Sequence, residues 1–112
     1  MNYKLLAKPF NTTIEQTALG QKIFIRRLTN TELDNYSEVI SSDNKLTEKQ
    51  QSLLGVNLFL SALVNEDGSA PKKSDLPSPE SLLDAHSTAD LLAAIKLVQQ
   101  HSYGTLEDAV KN

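Results

Sequence analysis

The histidines and the acidic residues nearest to them are the first candidates for metal or acid–base chemistry. His86 and His101 lie at or near predicted helix ends. A metal site at His86 would need Asp84 and Asp90, which belong to two different predicted helices, and no His/Cys ligand spacing supports it. His101 falls in the last turn of a helix, where a protonated imidazole favours the helix dipole. We therefore expect no metal site and a structural role for His101.

The remaining nucleophiles and acids do not form a catalytic pattern either. Glu66-Asp67 and Glu107-Asp108 are adjacent pairs whose side chains point apart, whereas a general acid and base must face each other across a cleft. No serine lies in a Gly-x-Ser-x-Gly turn, and the four glycines are too dispersed to cradle a phosphate. The chain has no cysteine, so thiolate chemistry and disulfides are excluded. The sequence predicts a protein that is not an enzyme and carries no cofactor.

Charge and hydropathy narrow the classes of partner. The net charge is −3, and Asp and Glu predominate over Lys and Arg in residues 61–112. Nucleic-acid binding needs Lys and Arg gathered on one face, but the only basic pairs are Arg26-Arg27 and Lys72-Lys73. The longest apolar candidate, 58–64, is far shorter than the roughly 18 residues of a membrane span. We expect no nucleic-acid or membrane binding and, without a visible signal peptide, a cytoplasmic location.

The residues up to 28 have the pattern of a β-hairpin. Residues 22–28 are rich in β-branched and aromatic side chains, residues 12–17 form a weaker strand, and 18–21 supply the turn. An isolated hairpin is marginal in water, so this one must lie on helices or pair with another chain. Its unpaired edge is one candidate for binding a partner by strand addition.

The first two predicted helices follow the hairpin. A capping-box spacing at 29–32 begins the first helix, whose apolar stripe consists of Leu33, Tyr36, Val39 and Ile40. The second helix is placed at about 46–64, with Asp43 or Asn44 as its cap. It is apolar nearly all round, which predicts the buried centre of the domain. Because glycine costs roughly 1 kcal/mol in a helix interior, Gly55 indicates a close helix contact.

Two more helices are predicted towards the end of the chain. Ser78 before Pro79 caps a short helix that runs to about residue 85. The 87–90 segment resembles another capping box and begins a helix that ends at Gly104. Its inward side chains are predicted to be Leu91, Leu92, Ala94, Ile95 and Val98, and its outward ones Lys96, Gln99 and Gln100. Residues 105–112 make a short charged tail, either loose or with one more turn through Leu106 and Val110.

These elements predict an α+β, mostly helical fold: an N-terminal β-hairpin packed on a small bundle of about four helices. The length suits a single domain, 1–112, with a hairpin region at 1–28, a helical region at 29–104 and a tail at 105–112.

Two surfaces are candidates for partner binding. Arg26 and Arg27, at the end of the second strand, form either a basic spot that faces a partner or the polar face of a half-buried strand. Leu91, Ile95 and Val98 form either part of a groove for a partner or part of the core. The sequence leaves both alternatives open, and we take the five residues as the predicted partner-binding set.

The order of these features is similar to that of a known family. The strand enters a helix through residues 26–33 (RRLTNTEL), and the long apolar helix closes with residues 63–68 (LVNEDG). Over nearly its whole length the chain resembles the tail assembly chaperones of long-tailed, siphovirus-type bacteriophages.

The resemblance implies a specific function and specific partners. Such chaperones are absent from the mature virion; they bind the long helical tape measure protein in the host cytoplasm, keep it soluble and promote tail tube assembly around it. In many of these phages a longer form, made by ribosomal frameshifting, is thought to recruit the tube protein. Residues 110–112 are compatible with the codons GTA AAA AAC, which hold a slippery heptamer, although other codons encode them too. Self-association is a further expectation, since many copies could coat one client.

Two other classes compete with this interpretation. One is a small structural protein of the tail, such as a completion or connector component, although these usually contain more β-structure. The other is a regulatory adaptor that binds proteins. The neighbouring genes distinguish the three classes, because only the chaperone is expected between genes for a tube protein and a very long helical protein.

Overall fold

The computed structural model describes residues 1–41 and 46–104. Over these residues it confirms the predicted fold class, an N-terminal hairpin followed by four α-helices. Two short 3₁₀ turns, at Lys4–Ala7 and Lys73–Asp75, accompany the regular elements. The strands and helices are β1 Ile14–Ala18, β2 Gln21–Ile25, α1 Asn30–Ser41, α2 Glu48–Ala62, β3 Leu63–Val64, α3 Pro79–Ala85 and α4 Thr88–Tyr103. The predictions for the 105–112 tail lie outside the described residues.

The hairpin turns through two residues, Leu19 and Gly20. Their φ angles are 52° and 79°, and positive values at both positions match the twist of a two-residue hairpin. The register pairs Ile14 with Ile25 and Ala18 with Gln21. The predicted hairpin is therefore confirmed, with strands slightly shorter than the sequence pattern indicated.

A third strand corrects the predicted end of the long helix. The helix was expected to continue to residue 64, but α2 ends at Ala62 and the next two residues are extended. Leu63 and Val64 pair antiparallel with Ile25 and Phe24 of β2. A short apolar run does not reveal whether it is helical or extended, and here pairing with β2 decides it. As a result β2 is the middle strand, in the order β1-β2-β3.

The predicted cap of the first helix is confirmed, and that of the second helix is not. At α1 the predicted box is present: the Glu32 amide donates to Thr29 Oγ1 at 3.2 Å, and the Thr29 amide donates to Glu32 Oε1 at 2.9 Å. At α2 the cap is Thr47, which exchanges the same pair of bonds with Gln50. The prediction of Asp43 or Asn44 as this cap was wrong, and those two residues lie outside the described part of the chain.

The last two helices begin and end where their signals indicate. Ser78 caps α3 and is followed by Pro79 in the first turn, and Ser87 caps α4. Gly104, with a φ of 79°, follows the last residue of α4. These signals act through hydrogen bonds to residues three or four positions away, which is why sequence alone locates them.

The core lies between the sheet and α2 and α4. Ile25 of β2, Val56 of α2 and Val98 of α4 have the most completely buried large side chains. The helix α2 contributes five buried residues, Gly55, Val56, Leu58, Phe59 and Ala62, in agreement with its predicted central position. In α1, Leu33 is buried and Tyr36 packs partly against the core, whereas Val39 and Ile40, the other half of the apolar stripe, are about 40% exposed.

Candidate functional site

An open groove of about 640 Å³ lies between α1, α2 and α4. Tyr36 and Ile40 of α1 form one side, and Gly55 of α2 with Leu91 and Ile95 of α4 lines the bottom. Thr47 and Ser87 cap the starts of α2 and α4, the two helices that supply most of the lining. Leu83 of α3 also lines it, so all four helices contribute to the groove.

Gly55 sets the depth of the groove. A Cβ atom at this position would lie 2.7 Å from Ile95 Cδ1 and 3.7 Å from the Tyr36 hydroxyl oxygen. Carbon atoms in contact are normally about 3.5–4.0 Å apart, so the absent side chain allows α2 and Ile95 to approach. The predicted close helix contact at Gly55 is confirmed.

Two large apolar side chains of the groove are open to solvent. Ile40 on α1 is 40% exposed and Leu92 on α4 is 60% exposed. The expectation that Leu92 faces inward was wrong: successive residues of a helix are rotated by about 100°, and the core takes the side that carries Leu91 and Ile95. Exposed apolar side chains beside a groove mark a surface that another apolar segment can cover.

The rest of the groove is polar and nearly uncharged. Among the described residues that line it, Glu48 is the only Asp, Glu, Lys or Arg. Partial burial raises the pKa of Tyr36 above its ordinary value of 10, so its hydroxyl is neutral and able to hydrogen-bond. An apolar bottom with a few polar groups around it suits the binding of an apolar segment.

The structure places the predicted α4 residues in the core. Leu91 and Ile95 are each 8% exposed, and Val98 is fully buried. Leu91 and Ile95 nevertheless line the bottom of the groove, whereas Val98 is not among its lining residues. In this structure all three residues are therefore part of the core. For Leu91 and Ile95, which line the groove, a role in partner binding stays a prediction.

Arg26 is occupied by contacts within the chain. Its Nη1 and Nη2 atoms donate to the two carboxylate oxygens of Glu32 at 2.9 and 2.8 Å, and Nη2 also donates to the Ser61 carbonyl at 3.0 Å. Hydrogen bonding to this guanidinium lowers the pKa of Glu32 to about 2. Arg26 therefore joins β2 to the start of α1 and the end of α2, which favours the structural alternative.

Arg27 has an exposed side chain, and its backbone is held in place. Its amide donates to Thr12 Oγ1 at 2.8 Å, while the side chain lines a second, smaller hollow beside Leu97 and His101. The predicted basic spot is therefore one exposed arginine rather than two, and the structure does not bring it to the groove between α1, α2 and α4.

The two histidines have different surroundings. His86 lines the groove, and over residues 1–41 and 46–104 no cluster of three His, Asp or Glu residues is arranged to hold a metal ion. His101 lies in the last turn of α4, as predicted, and its Nε2 atom is 2.7 Å from the Thr12 carbonyl oxygen. This contact ties the end of α4 to the start of the hairpin, a role that the helix dipole alone does not predict.

Residues 1–10, which we call the arm, form a surface that the sequence reasoning missed. Every residue of the arm is exposed, including Leu5 at 72%, Leu6 at 81% and Phe10 at 80%. The arm joins the body at Asn11, whose Nδ2 donates to the Asp67 carbonyl at 3.3 Å. The available signal was three large apolar residues outside any predicted element.

The fold is a small scaffold with an open, partly apolar groove on its surface. A sequence model of one protein family, the phage tail assembly chaperone protein (TAC) family, matches residues 2–112. The chain belongs to this family, which confirms the resemblance seen in residues 26–33 and 63–68. Comparison with curated proteins gives no match, and comparison with solved structures gives none either.

Among the described residues, no helix is both long enough and apolar enough to cross a bilayer.

Proposed function

We propose that this chaperone binds the tape measure protein of its phage, keeps that long helical client soluble, and promotes assembly of the tail tube around it. The chaperone acts in the host cytoplasm and is absent from the finished virion. A longer frameshifted form carries the contact with the tube protein. Membership of the tail assembly chaperone family supports the proposal.

The open groove between α1, α2 and α4 is the observation that carries the client-binding part. An amphipathic helix binds by laying its apolar face into such a groove, with anchors three or four residues apart. Ile40 and Leu92 offer exposed apolar surface to those anchors, and Leu91 and Ile95 form the bottom between them. We place the client helix along this groove.

Co-expression with the tape measure protein of the same phage tests the proposal. We expect the wild-type chain to increase the soluble fraction of the client and to copurify with it, and Leu92→Arg to lose both effects. Tyr103→Arg is the matched control, because Tyr103 is 67% exposed on the same helix and is not among the residues that line the groove.

The outcomes separate the function from the site. If the client is equally soluble with and without the chain and no complex is recovered, the proposed function is wrong. If Leu92→Arg binds the client as well as the Tyr103→Arg control does, the client site is not this groove.

A further inference from the structure

The helix α1 is fixed to the rest of the molecule at its first turn. Arg26, which follows β2, donates two hydrogen bonds of 2.9 and 2.8 Å to Glu32, and Glu32 closes the capping box with Thr29. Just before the helix, the Leu28 amide donates to Ser102 Oγ of α4 at 3.0 Å. The start of α1 is therefore tied to both the sheet and α4.

The second half of α1 lies on the surface. Leu33 is buried and Tyr36 is partly buried, whereas all the other residues from 34 to 41 are exposed. At the end of the helix, Ser41 Oγ donates to the Ser37 carbonyl at 2.7 Å, a bond within α1 itself. A segment that buries so little apolar surface is held weakly against its neighbours.

Tyr36 is the residue through which the middle of α1 rests on α2. Its side chain packs partly against the core, and its hydroxyl oxygen lies 3.7 Å from the place that a Cβ of Gly55 would take. Helices keep a fixed crossing angle where ridges of side chains fit into grooves of the partner. Because Gly55 has no side chain to interlock with the tyrosine ring, this contact lets the angle between α1 and α2 change.

We propose that α1 is a hinged wall of the groove: it turns as a rigid helix about residues 28–33, and its far end moves towards or away from α4. Ile40 lies about 10 Å along the helix axis from Leu33. A rotation of about 20°, which equals the usual scatter of helix packing angles, therefore shifts Ile40 by about 3–4 Å. Since Ile40 and Leu92 both line the groove, this movement changes its width.

The movement belongs to the free chain and needs no client. Only its use rests on the proposed function: a wall that shifts in this way fits successive segments of a client helix whose apolar anchors differ in size, because an adaptable surface repacks around each of them.

Electron paramagnetic resonance distance measurements on the free, full-length chain test the inference. The chain has no cysteine, so spin labels attach only where cysteines are introduced. Lys96→Cys on α4 carries one label. The second label is placed at Glu38→Cys in the far half of α1, at Thr31→Cys in its first turn, or at Asn57→Cys on α2 as the control. All four positions are exposed, so the labelled proteins should keep the wild-type circular dichroism spectrum.

The hinge predicts a different result for each labelled pair. The 38–96 distance distribution should be wider than the 57–96 control by about 2–3 Å, and the 31–96 distribution should be as narrow as the control. A 38–96 distribution as narrow as the control overturns the inference, because α1 is then fixed along its whole length. A 31–96 distribution as wide as the 38–96 one also overturns it, because the start of the helix is then not an anchor.

Two further measurements separate a hinge from an unwinding helix and locate the pivot. The Cα chemical shifts of residues 37–40 should be helical, and random-coil values would overturn the inference in favour of unwinding. Glu32→Gln should widen the 31–96 distribution, whereas an unchanged width would show that the Arg26–Glu32 pair is not the pivot. All of these measurements are made without client, so their failure leaves the proposed function standing, and failure of the co-expression test leaves the hinge standing.

Discussion

Arg26 and Glu32 form a two-point ion pair that joins the end of β2 to the first turn of α1. The two nitrogen–oxygen distances are 2.9 and 2.8 Å, and both side chains are about two-thirds buried. Glu32 also accepts from the Thr29 amide, so one carboxylate caps α1 and holds the arginine. The planar guanidinium suits this arrangement because its paired donors match the two carboxylate oxygens.

The ion pair predicts a specific dependence of stability on pH. The pKa of Glu32 falls from an ordinary 4.5 to about 2 in the folded chain. A depressed pKa stabilises the fold above the unfolded value, and this contribution is lost as pH falls from about 4.5 through about 2. With a discount for partial exposure, Glu32→Gln should lower the free energy of unfolding by about 1–2 kcal/mol at pH 7. Urea denaturation should show this difference from wild type shrinking as pH falls below 4.5 and vanishing below about 2.

The matched control for this variant is Glu15→Gln. Glu15 pairs with Lys22 at 2.7 Å, but both side chains are more than half exposed, so little change is expected. Equal effects of the two substitutions at pH 7 would contradict a special role for the Arg26–Glu32 pair.

We expect substitutions at Gly55 to destabilise the fold increasingly as the new side chain becomes larger. An alanine there gains about 1 kcal/mol of helix propensity but pushes on Ile95 Cδ1, the free end of a side chain that lines the groove. We expect Gly55→Ala to stay within about 1 kcal/mol of wild type and to shift the Ile95 δ-methyl resonance. Gly55→Leu should cost about 1–3 kcal/mol or more by overpacking. A stabilised Gly55→Leu would show that α2 and α4 are not in close contact.

Ile95 and Leu92 lie about one helical turn apart on α4, and we expect polar substitutions at these two positions to differ sharply in their effect on stability. Ile95 is 8% exposed and Leu92 is 60% exposed. A carboxylate at position 95 would be buried without a partner, so Ile95→Asp should cost about 3 kcal/mol or more and unfold much of the protein. Leu92→Arg should change stability by about 0.5 kcal/mol or less. Thermal unfolding of both variants measures the difference, and comparable losses would mean that Leu92 is a core residue.

Gly68 closes the turn of the LVNEDG segment. We expect its replacement by alanine to destabilise the fold more than the same replacement at Gly20. Both have positive φ angles, 89° and 79°, which cost a residue with a Cβ roughly 1–2 kcal/mol. A Cβ at Gly68 would also lie 2.6 Å from Asn11 Oδ1, whereas at Gly20 it would meet nothing within 4 Å. Gly68→Ala should therefore lower the free energy of unfolding by about 1 kcal/mol more than Gly20→Ala does. Denaturant titration of the pair tests this, and equal losses would rule out a tight contact at Asn11.

The predictions that rested on local signals were largely confirmed. The caps Thr29, Ser78 and Ser87 and the glycine end of α4 each depend on a few adjacent residues. Even the exception was local: the cap Thr47 of the Thr47–Gln50 box lies three residues past Asn44, one of the two predicted caps, Asp43 or Asn44. Such signals are readable because their hydrogen bonds span only three or four positions.

The sequence by itself determined the hairpin, the four helices, a central apolar α2 and the family to which the chain belongs. Only the tertiary structure decided which apolar side chains are covered. Periodicity shows that α1 and α4 carry apolar stripes, but whether Ile40 or Leu92 is buried depends on where other elements pack. The same holds for Arg26 with Ser61, 35 residues apart, and His101 with Thr12, 89 apart. Contacts at such separations exist only after the chain has folded. Packing between distant elements therefore decided that the predicted apolar stripes line a groove and that residues 1–10 are exposed.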